Sequence, residues 1–511
     1  MKHTKQVLAF VSLVCLLCET QTSAQGYGNP LTFQGLGHTT MQSVAARGMG
    51  GVTFGLKNDV SLMFSNSTSL TSLEGIQISV GGMQQHTYAT QDQRYGGLQG
   101  HSAFSLLTLA QTGLIRDPDT SLTYGGTKVR LTTQADSVQR PFDSIGPDWN
   151  KSKTNSMPLQ VFVAAPFTVS NVRMVGGVGA VQYANLNWYY QNNNCFSPSV
   201  LSVTDSTVST TGLNANPYLT QWYQYYQQRD GVIYGYGGAL SAELSERLSV
   251  GASFLLLSGS TDDAETRVGR GAMQFFTSSL RLIKQGMTSF TKTGTSDYSG
   301  SEFSVGAEYR STYINLGFTA KLPTTITRKY STAIWSDSVA ATQQFAGRND
   351  SIHVTTTSSI SGQDKISLPL RGNVGMTIRI KENVTIGMEY EVRSYASAEY
   401  TSASGVVTHP WLSASNLHFG VEYRAAEWLA LRGGVTNYSE TYQPLTEAIR
   451  GDPVNYPVYS LGCGIMVENG TLNVAYEYSE MKYVDTWSNA ANINQGFTNS
   501  VIASFSYQLP W

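Results

Sequence analysis

Charged side chains are scarce in this chain of 511 residues. Asp, Glu, Lys and Arg make up only 13% of it, whereas an average soluble domain has roughly 25%. The 33 basic and 35 acidic residues nearly cancel, so the chain has no general electrostatic attraction for nucleic acid. Intrinsic disorder is excluded as well, because 11% of the residues are aromatic and disordered chains are poor in them.

Cysteines and long apolar runs are also few. A basic start, an apolar stretch (7–18) and small residues before Gln25 predict a secretory signal over residues 1–24. Cleavage there would leave only Cys195 and Cys463, which are far apart in the sequence, so no disulfide framework is expected. After the signal no apolar run reaches about 18 residues, the length that a membrane-spanning helix needs. Two classes remain, a large secreted β protein and an outer-membrane barrel.

The end of the chain alternates between apolar and polar side chains with the period of a β-strand. One face carries Val501, Ala503, Phe505, Tyr507, Leu509 and Trp511. The other face carries Ser500, Ser504, Ser506, Gln508 and one apolar exception, Ile502. The same alternation recurs upstream, for example over 384–393, 417–424 and 472–479. A terminal strand that ends in an aromatic residue resembles the assembly signal of outer-membrane barrels.

The two faces and the link lengths favour a membrane barrel over a soluble sandwich. The second face is rich in Gly, Ala, Ser and Thr, as a polar lumen requires, and carries less charge than a face in bulk water would. Very short links join strand pairs, and long polar stretches separate the pairs. These stretches lie near 185–231, 260–301, 323–364, 397–413, 439–456 and 483–497. The sequence therefore predicts an all-β fold, an antiparallel transmembrane β-barrel with long extracellular loops.

Counting back from the C-terminus gives about 14 strands. They are predicted near 74–84, 157–166, 172–185, 232–244, 247–259, 302–310, 313–322, 365–380, 383–396, 414–424, 427–438, 457–467, 470–482 and 498–511. A further hairpin at 100–110 and 122–133 would raise the count to 16. An odd count is excluded, because both termini are expected on the periplasmic side.

Residues 25–73 do not alternate and contain two short motifs. These are residues 45–52 (AARGMGGV) and residues 58–66 (NDVSLMFSN). Such a start resembles that of the FadL-type transporters of hydrophobic compounds, which open with a Gly-rich stretch and an Asp-x-Ser…aromatic-x-Asn-Pro-Ala segment. Asn66 is followed here by Ser67 and Thr68 in place of Pro-Ala.

The resemblance implies a barrel of 14 strands with its N-terminal segment folded into the lumen as a plug. A barrel of that size is wider than its own side chains can fill, which supports a plug independently. The alternative is a disordered periplasmic tail. The predicted domains are a signal peptide over 1–24, the plug over 25–73 and the transmembrane barrel over 74–511. The candidate gating residues of the plug are Met63, Phe64 and Asn66.

Aromatic residues crowd the long stretch 185–231. Pro217 precedes apolar residues at i, i+3, i+4 and i+7, a spacing that predicts one face of a helix. These residues are Leu219, Trp222, Tyr223 and Tyr226. Together with Trp188 they are expected to form an apolar, substrate-binding surface at the outer mouth of the barrel. An aromatic anchor at the membrane interface, or simple loop packing, is the open alternative.

A glycine cluster marks the third predicted strand. It consists of Gly176, Gly177 and Gly179. Glycines inside strands often mark a bulge or a kink, and the resembled family has an inward kink in this strand that opens the wall sideways. The three glycines are therefore candidate gating residues, with close packing against the plug as the alternative.

The resemblance implies passive uptake of hydrophobic small molecules, such as long-chain fatty acids, across the outer membrane of a Gram-negative bacterium. We expect no enzyme, metal or cofactor, because the sequence has no P-loop, no G-x-S-x-G motif and no Cys or His spacing that suits zinc. The expected partners are a hydrophobic ligand and outer-membrane lipid, and the barrel is expected to be a monomer. The alternatives are a structural or shuttle component of type IX protein secretion and a plain diffusion porin.

Overall fold

A computed structural model describes most of the barrel and part of the segment that precedes it. The described residues are 43–95, 145–146, 148–197, 218–275, 280–283, 287–345, 348–441, 454–487 and 490–509. The predicted signal peptide, the beginning of the predicted plug (25–42) and the possible hairpin at 100–110 and 122–133 lie outside these residues.

Helices are few and short in the described chain. There is one α-helix, α1 (Val44–Gly48), and there are three 3-10 turns, Val60–Leu62, Ser67–Ser72 and Tyr395–Ser397. Among the described residues, no helix is long and apolar enough to cross a membrane.

Strands form nearly all of the remainder. They are β1 (Ile76–Tyr95), β2 (Trp149–Val169), β3 (Val172–Asn185), β4 (Trp188–Ser197), β5 (Tyr218–Ser245), β6 (Leu248–Phe275), β7 (Leu280–Ile283), β8 (Thr288–Arg310), β9 (Ile314–Lys321), β10 (Thr324–Phe345), β11 (Arg348–Leu368), β12 (Arg371–Lys381), β13 (Val384–Arg393), β14 (Glu399–Thr401), β15 (Val407–Thr408), β16 (Ala414–Ala426), β17 (Leu429–Ser439), β18 (Asn455–Val467), β19 (Gly470–Trp487) and β20 (Ala490–Leu509).

These segments join into one closed antiparallel barrel. In the wall β4 continues β3, β10 continues β9, β12 continues β11, β14 continues β13 and β16 continues β15, while β7 adds only to the outer end of β6. The described residues thus form fourteen wall strands. The ring closes between β1 and β20, which pair from Ile76 and Leu509 to Tyr95 and Ala490. The predicted antiparallel barrel and its count of 14 strands are confirmed.

The faces of the strands agree with the predicted alternation. On β20 the side chains of Val501, Phe505 and Tyr507 are exposed on the outer surface, whereas Ser504 is buried inside. Ile502, the apolar exception on the polar face, is also fully buried in the interior. A belt of exposed apolar side chains therefore surrounds the barrel, and such a belt is stable against lipid but not against water.

The predicted short links are present. They lie at one end of the barrel, called here the short-turn end, for example at 246–247, 382–383 and 468–469. The sequence places the turn of the last hairpin at Asn469-Gly470, which favours a type I′ turn. The structure instead makes this turn from Glu468 and Asn469, with Glu468 at φ 48°, so the prediction was one residue too far along the chain.

The predicted long loops are largely wrong. Most of 260–301 and 323–364 belongs to β6, β8, β10 and β11, which continue as long strands at the opposite end of the barrel. We call this the long-strand end. Beyond the apolar belt neither face of a strand meets lipid, so both faces are polar. The apolar–polar alternation disappears although the strand continues.

Candidate functional site

The N-terminal segment 43–73 lies inside the barrel and contacts strands on opposite sides of it. Helix α1 packs against β17, β18 and β19, while the turn Ser67–Ser72 packs against β3, β5, β6 and β8. Polar groups of the wall bind it: Thr53 donates its backbone N–H to Glu389 Oε2 at 2.7 Å, and Arg47 forms an ion pair with Glu477. The segment therefore crosses the lumen from one wall to the other.

Glycines on the inner face of the wall let this segment approach the strands closely. A Cβ atom on Gly434 would lie 2.3 Å from the backbone nitrogen of Gly50, and one on Gly420 would lie 2.1 Å from the Met49 carbonyl oxygen. Gly50 itself has φ 65°, a conformation that L residues rarely adopt. At these two positions backbone packs on backbone, with no room for a side chain on the wall residue.

The candidate gating residues of the segment are all buried within the lumen. The Phe64 ring lies 5.7 Å from the ring of Phe162 on β2. Asn66 precedes the turn Ser67–Ser72, and its amide nitrogen lies 3.4 Å from Glu308 on β8. A Cβ atom on Gly177 would lie 2.5 Å from the methyl group of Met63. These three residues join the segment to β2, β3 and β8.

The predicted glycine cluster does not itself interrupt the wall. Gly176, Gly177 and Gly179 are paired with β2 on one side and with β5 on the other, without a register shift. A Cβ atom on Gly177 would also meet Ala164 at 2.7 Å, and one on Gly179 would meet Phe162 at 2.3 Å. In this conformation the glycines serve close packing, against the N-terminal segment and between neighbouring strands.

The wall is interrupted a few residues further along β3. Residues 181–186 are buried consecutively, which a strand that remained in the wall could not achieve. The ladder between β2 and β3 ends at Gln160 and Val181. Above this pair, no ladder joins 149–159 to 182–197, although both segments are described. The strand therefore bends into the lumen and leaves a break in the wall beside β2.

Both strands carry an irregularity where they separate. On β2 the register against β1 shifts at Gln160 and Pro158, which leaves Leu159 without a partner, and on β3 the register against β5 shifts around Tyr183. Bulges of this kind bend a strand and increase its twist. The hydroxyl of Tyr183 donates to Glu302 Oε2 at 2.7 Å, and Arg371 binds the same carboxylate at 2.8 Å. A buried ion pair thus holds the bend of β3 in place.

The helix predicted from Leu219 to Tyr226 is wrong, because this stretch is the outer part of β5. A bulge between Trp222 and Tyr223 turns both rings to the same side, where both are fully buried. Tertiary packing overrides the local helical spacing. Arg270 of β6 stacks on the Trp222 ring at 3.9 Å, and the indole N–H donates to Asn194 Oδ1 at 3.0 Å. These rings form the core of the long-strand end.

The other predicted substrate-binding residues lie closer to the lumen. Leu219 is exposed. Tyr226 lies on the face of β5 that also carries Gln228 and Asp230, both of which line a cavity. Trp188 lines the same cavity and packs against a cluster of buried apolar side chains. The structure thus brings Trp188 and Tyr226 towards one space and places Trp222 and Tyr223 behind it.

The cavity has a volume of about 360 Å³ and lies in the lumen above the N-terminal segment. Arg47, Gly50 and Gly51 form its floor. One side is formed by β16 to β20 and the other by the inward-bent β3 and β4 with the outer part of β2. The break in the wall therefore borders the cavity.

Two groups near the ends of the lumen have shifted pKa values. Burial raises the pKa of Tyr189, on β4 beyond the apolar belt, to about 12, so this cavity-lining phenol is uncharged at neutral pH. In the N-terminal segment, burial together with the charges of Arg379, Arg310 and Arg424 lowers the pKa of Lys57. The nearby carboxylate of Glu308 acts against this lowering of the pKa.

Sequence reasoning placed the opening of the third strand at its glycines, a few residues before the bend of β3, and it missed the polar residues of the cavity. The bend lies within Gln182–Leu186, where polar and apolar residues are mixed without a period of two. That loss of alternation inside a wall strand is the signal that could have located it. The cavity residues come from strands that are distant in sequence, so no local pattern marks them.

Comparison with known proteins identifies the fold. No protein-family model matches the chain, and no curated protein matches its sequence. The crystal structure of a Pseudomonas aeruginosa FadL homologue matches with a TM-score of 0.54 at 12% identity, over 91% of this chain and 98% of the homologue. The P. putida toluene transporter TodX matches with a TM-score of 0.53 at 12% identity, over 95% and 99% of the two chains.

The closed barrel with its apolar belt is an outer-membrane β-barrel fold. More narrowly, it is the fold of the FadL-type transporters of Gram-negative outer membranes, as the resemblance in the N-terminal motifs implies. At 12% identity the likeness is one of fold.

Proposed function

We propose that this protein is an outer-membrane channel for the passive uptake of hydrophobic small molecules in a Gram-negative bacterium. A solute enters the lumen from the long-strand end, which faces the outside, and occupies the cavity above the N-terminal segment. It then leaves sideways into the membrane through the break beside β2. The short-turn end faces the periplasm, as in barrels of this class.

The observation that carries this proposal is the missing ladder between 149–159 and 182–197, although the first segment pairs with β1 and the second with β5. Backbone without hydrogen bonds is costly in lipid, so a closed barrel normally pairs its strands throughout the apolar belt. The inner end of the break, next to the exposed Val161, adjoins that belt. Here the break borders both the cavity and the outer part of the wall. It offers an apolar solute a route that avoids the aqueous periplasm.

The N-terminal segment supports the proposal because it blocks the axial route. Residues 43–73 span the lumen and are bound to the wall by backbone packing and buried hydrogen bonds. We propose that this segment acts as the plug, with Met63, Phe64 and Asn66 joining it to the wall close to Gly177. A shift of the plug there would change the packing of β3 below its bend.

We propose that Trp188, with Tyr226 and the exposed Leu219, forms the capture surface at the outer mouth. Trp222 and Tyr223 support this surface from beneath, since their rings are buried in this conformation. The aromatic rings supply a rigid apolar surface that loses little side-chain entropy on binding.

A reversible cross-link across the break tests the lateral route. Asn185 donates to Gln85 at 3.2 Å, and Gln85 is the ladder partner of Asn155, so Asn155→Cys and Asn185→Cys place two thiols across the break. Joining them with a thiol-cleavable cross-linker should strongly reduce the uptake of the apolar dye N-phenylnaphthylamine into cells, and reduction should restore it.

The control pair is Val161→Cys with Ala180→Cys, which are ladder partners where the wall is intact. Cross-linking there should leave uptake unchanged, as should treatment of the chain with only its native cysteines. If the closed break still admits the dye at the original rate, the lateral route is wrong. Stable co-purification with a secreted protein, without dye uptake, would instead support the secretion alternative.

A further inference from the structure

The interior of the barrel is divided into an apolar part and a polar part. A packed apolar cluster, which includes Phe64, Phe162, Leu257 and Trp411, fills the side towards β2 to β11. The open cavity lies on the other side, against β16 to β20 and β1. A solute in the lumen therefore meets the polar part first.

Hydrogen-bonding side chains and aromatic rings alternate around the cavity. Asn155, Asn416 and Gln228 place carboxamides there. Those of Asn416 and Gln228 already bind neighbouring side chains, whereas that of Asn155 binds none that the structure describes. Trp188, Tyr438 and Tyr456 present rings. Pockets for purely apolar ligands are lined mainly by apolar side chains with few polar groups. Burying a hydrocarbon here would remove water from the Asn155 carboxamide and give it nothing in return.

Two of the rings are held in fixed orientations. The Tyr438 hydroxyl accepts a hydrogen bond from Arg393 at 3.2 Å, and the Tyr456 hydroxyl donates to Glu440 at 2.9 Å. Their ring centroids lie 5.4 Å apart at 43°. Fixed rings of this kind can stack on a flat ligand without further ordering.

The charges around the cavity are already paired. Arg47 pairs with Glu477 at the floor and Lys153 pairs with Asp230 on the opposite side. Lys151 stacks on the Tyr189 ring at 3.9 Å. A charged ligand would have to compete with these partners, and its own desolvation would add to the cost. An uncharged ligand has no such penalty.

We propose that the cavity selects uncharged aromatic compounds that carry hydrogen-bonding groups, such as hydroxylated aromatics, over hydrocarbons and over carboxylates. This inference rests on the proposed uptake function and defines its substrate class. The ring stacks on the tyrosines and Trp188, and the hydroxyl bonds to the Asn155 carboxamide. Such a compound is also apolar enough to leave through the break into lipid, which a sugar is not.

Three naphthalene derivatives of nearly equal shape test the inference. Binding of 2-naphthol, naphthalene and 2-naphthoate is measured by equilibrium dialysis against the protein in lipid nanodiscs at pH 7, with empty nanodiscs as the reference. After correction for partition into lipid, 2-naphthol should bind about tenfold more tightly than either of the others, the factor expected from about one net hydrogen bond.

A pair of variants on β2 locates the effect. Asn155 lines the cavity, and its carboxamide makes no hydrogen bond to any other described side chain, so Asn155→Leu should weaken 2-naphthol binding about fivefold or more and leave naphthalene unaffected. Asn150 is exposed on the outer face of the same strand, and Asn150→Leu should change neither.

The outcomes separate the inference from the function on which it rests. Equal or tighter binding of naphthalene would overturn the inference and leave uptake of hydrophobic molecules standing. Preferential binding of 2-naphthoate would overturn it in favour of a carboxylate site. If none of the three binds above the empty nanodiscs, both the inference and the uptake function are wrong.

Discussion

Glycine on the inner face of a wall strand decides how closely the N-terminal segment can approach. Neighbouring glycines on β17 show the contrast. Gly434 faces inward and touches the Gly50 backbone. Gly433 faces outward, where an added Cβ atom would meet Leu461 at 3.7 Å and the Ser460 carbonyl oxygen at 4.0 Å, both ordinary contacts. The two positions have the same residue type, strand and backbone conformation, and they differ in what they face.

A methyl group at these positions should have opposite outcomes. Gly434→Ala should destabilise the barrel by roughly 1–3 kcal/mol, because the segment must move away from the wall. Gly433→Ala should be neutral or slightly stabilising, since Ala restricts the unfolded chain. The temperature at which the folded band disappears in unheated electrophoresis measures both. An equal effect of the two substitutions would show that the segment does not pack against β17.

The outer parts of β4, β5 and β6 form an element with a core of its own. Arg270 is buried there and joins several residues: it stacks on Trp222 and bonds to the Asn193 carbonyl at 2.9 Å and to Asn194 at 2.6 Å. The sequence alone suggested a helix at this place. Residues 221–229 pair with β4 and β6, and this pairing decides their backbone conformation. A local spacing in the sequence does not reveal such a pairing.

Removing the guanidinium should loosen this element but leave the membrane part intact. Arg270→Met keeps an apolar stem and removes the guanidinium that binds the Asn193 carbonyl and Asn194 Oδ1, at a cost of roughly 1–3 kcal/mol. We expect protease to cleave the outer part of β4 or β5 faster in intact cells, with unchanged heat stability of the barrel. Lys329→Met, at an exposed position on β10, is the control. Unchanged protease resistance would contradict the role of Arg270.

At the scale of the whole molecule the N-terminal segment divides a wide barrel into compartments. Fourteen strands enclose a lumen that would otherwise hold a continuous aqueous channel. Residues 43–73 interrupt it, and a cavity of about 360 Å³ remains open beside them in the described part of the barrel. In the proposed function, a solute passes from the outside into the cavity and from the cavity into the membrane. Neither step runs along the axis of the barrel.

Deletion of residues 43–73 should convert the barrel into an open pore. We expect the intact chain to give little steady current in planar bilayers and the shortened chain to give a large, stable one, because ions then pass along the axis. Heat-modifiable migration of the shortened chain confirms that its barrel has formed. A folded but non-conducting deletion variant would mean that another part of the chain blocks the lumen.

The sequence by itself determined the wall of this protein. Alternation of side chains reports what each face of a strand meets, so lipid on one side and a polar lumen on the other were enough to locate fourteen strands and their short turns. Even the exception, Ile502, was visible as a break in the pattern, although its position inside the lumen was not.

Only the tertiary structure decided what happens inside and above the belt. Residues far apart in the chain decide three features: the bend of β3, the packing of the N-terminal segment on wall glycines and the extension of β5 as a strand. The side chains at these places pack against other parts of the chain and not against lipid or water. They therefore lack the period of two that lipid and water impose on a strand. For that reason the barrel could be predicted from its amino-acid pattern, whereas the break in its wall and the polar cavity beside it could not.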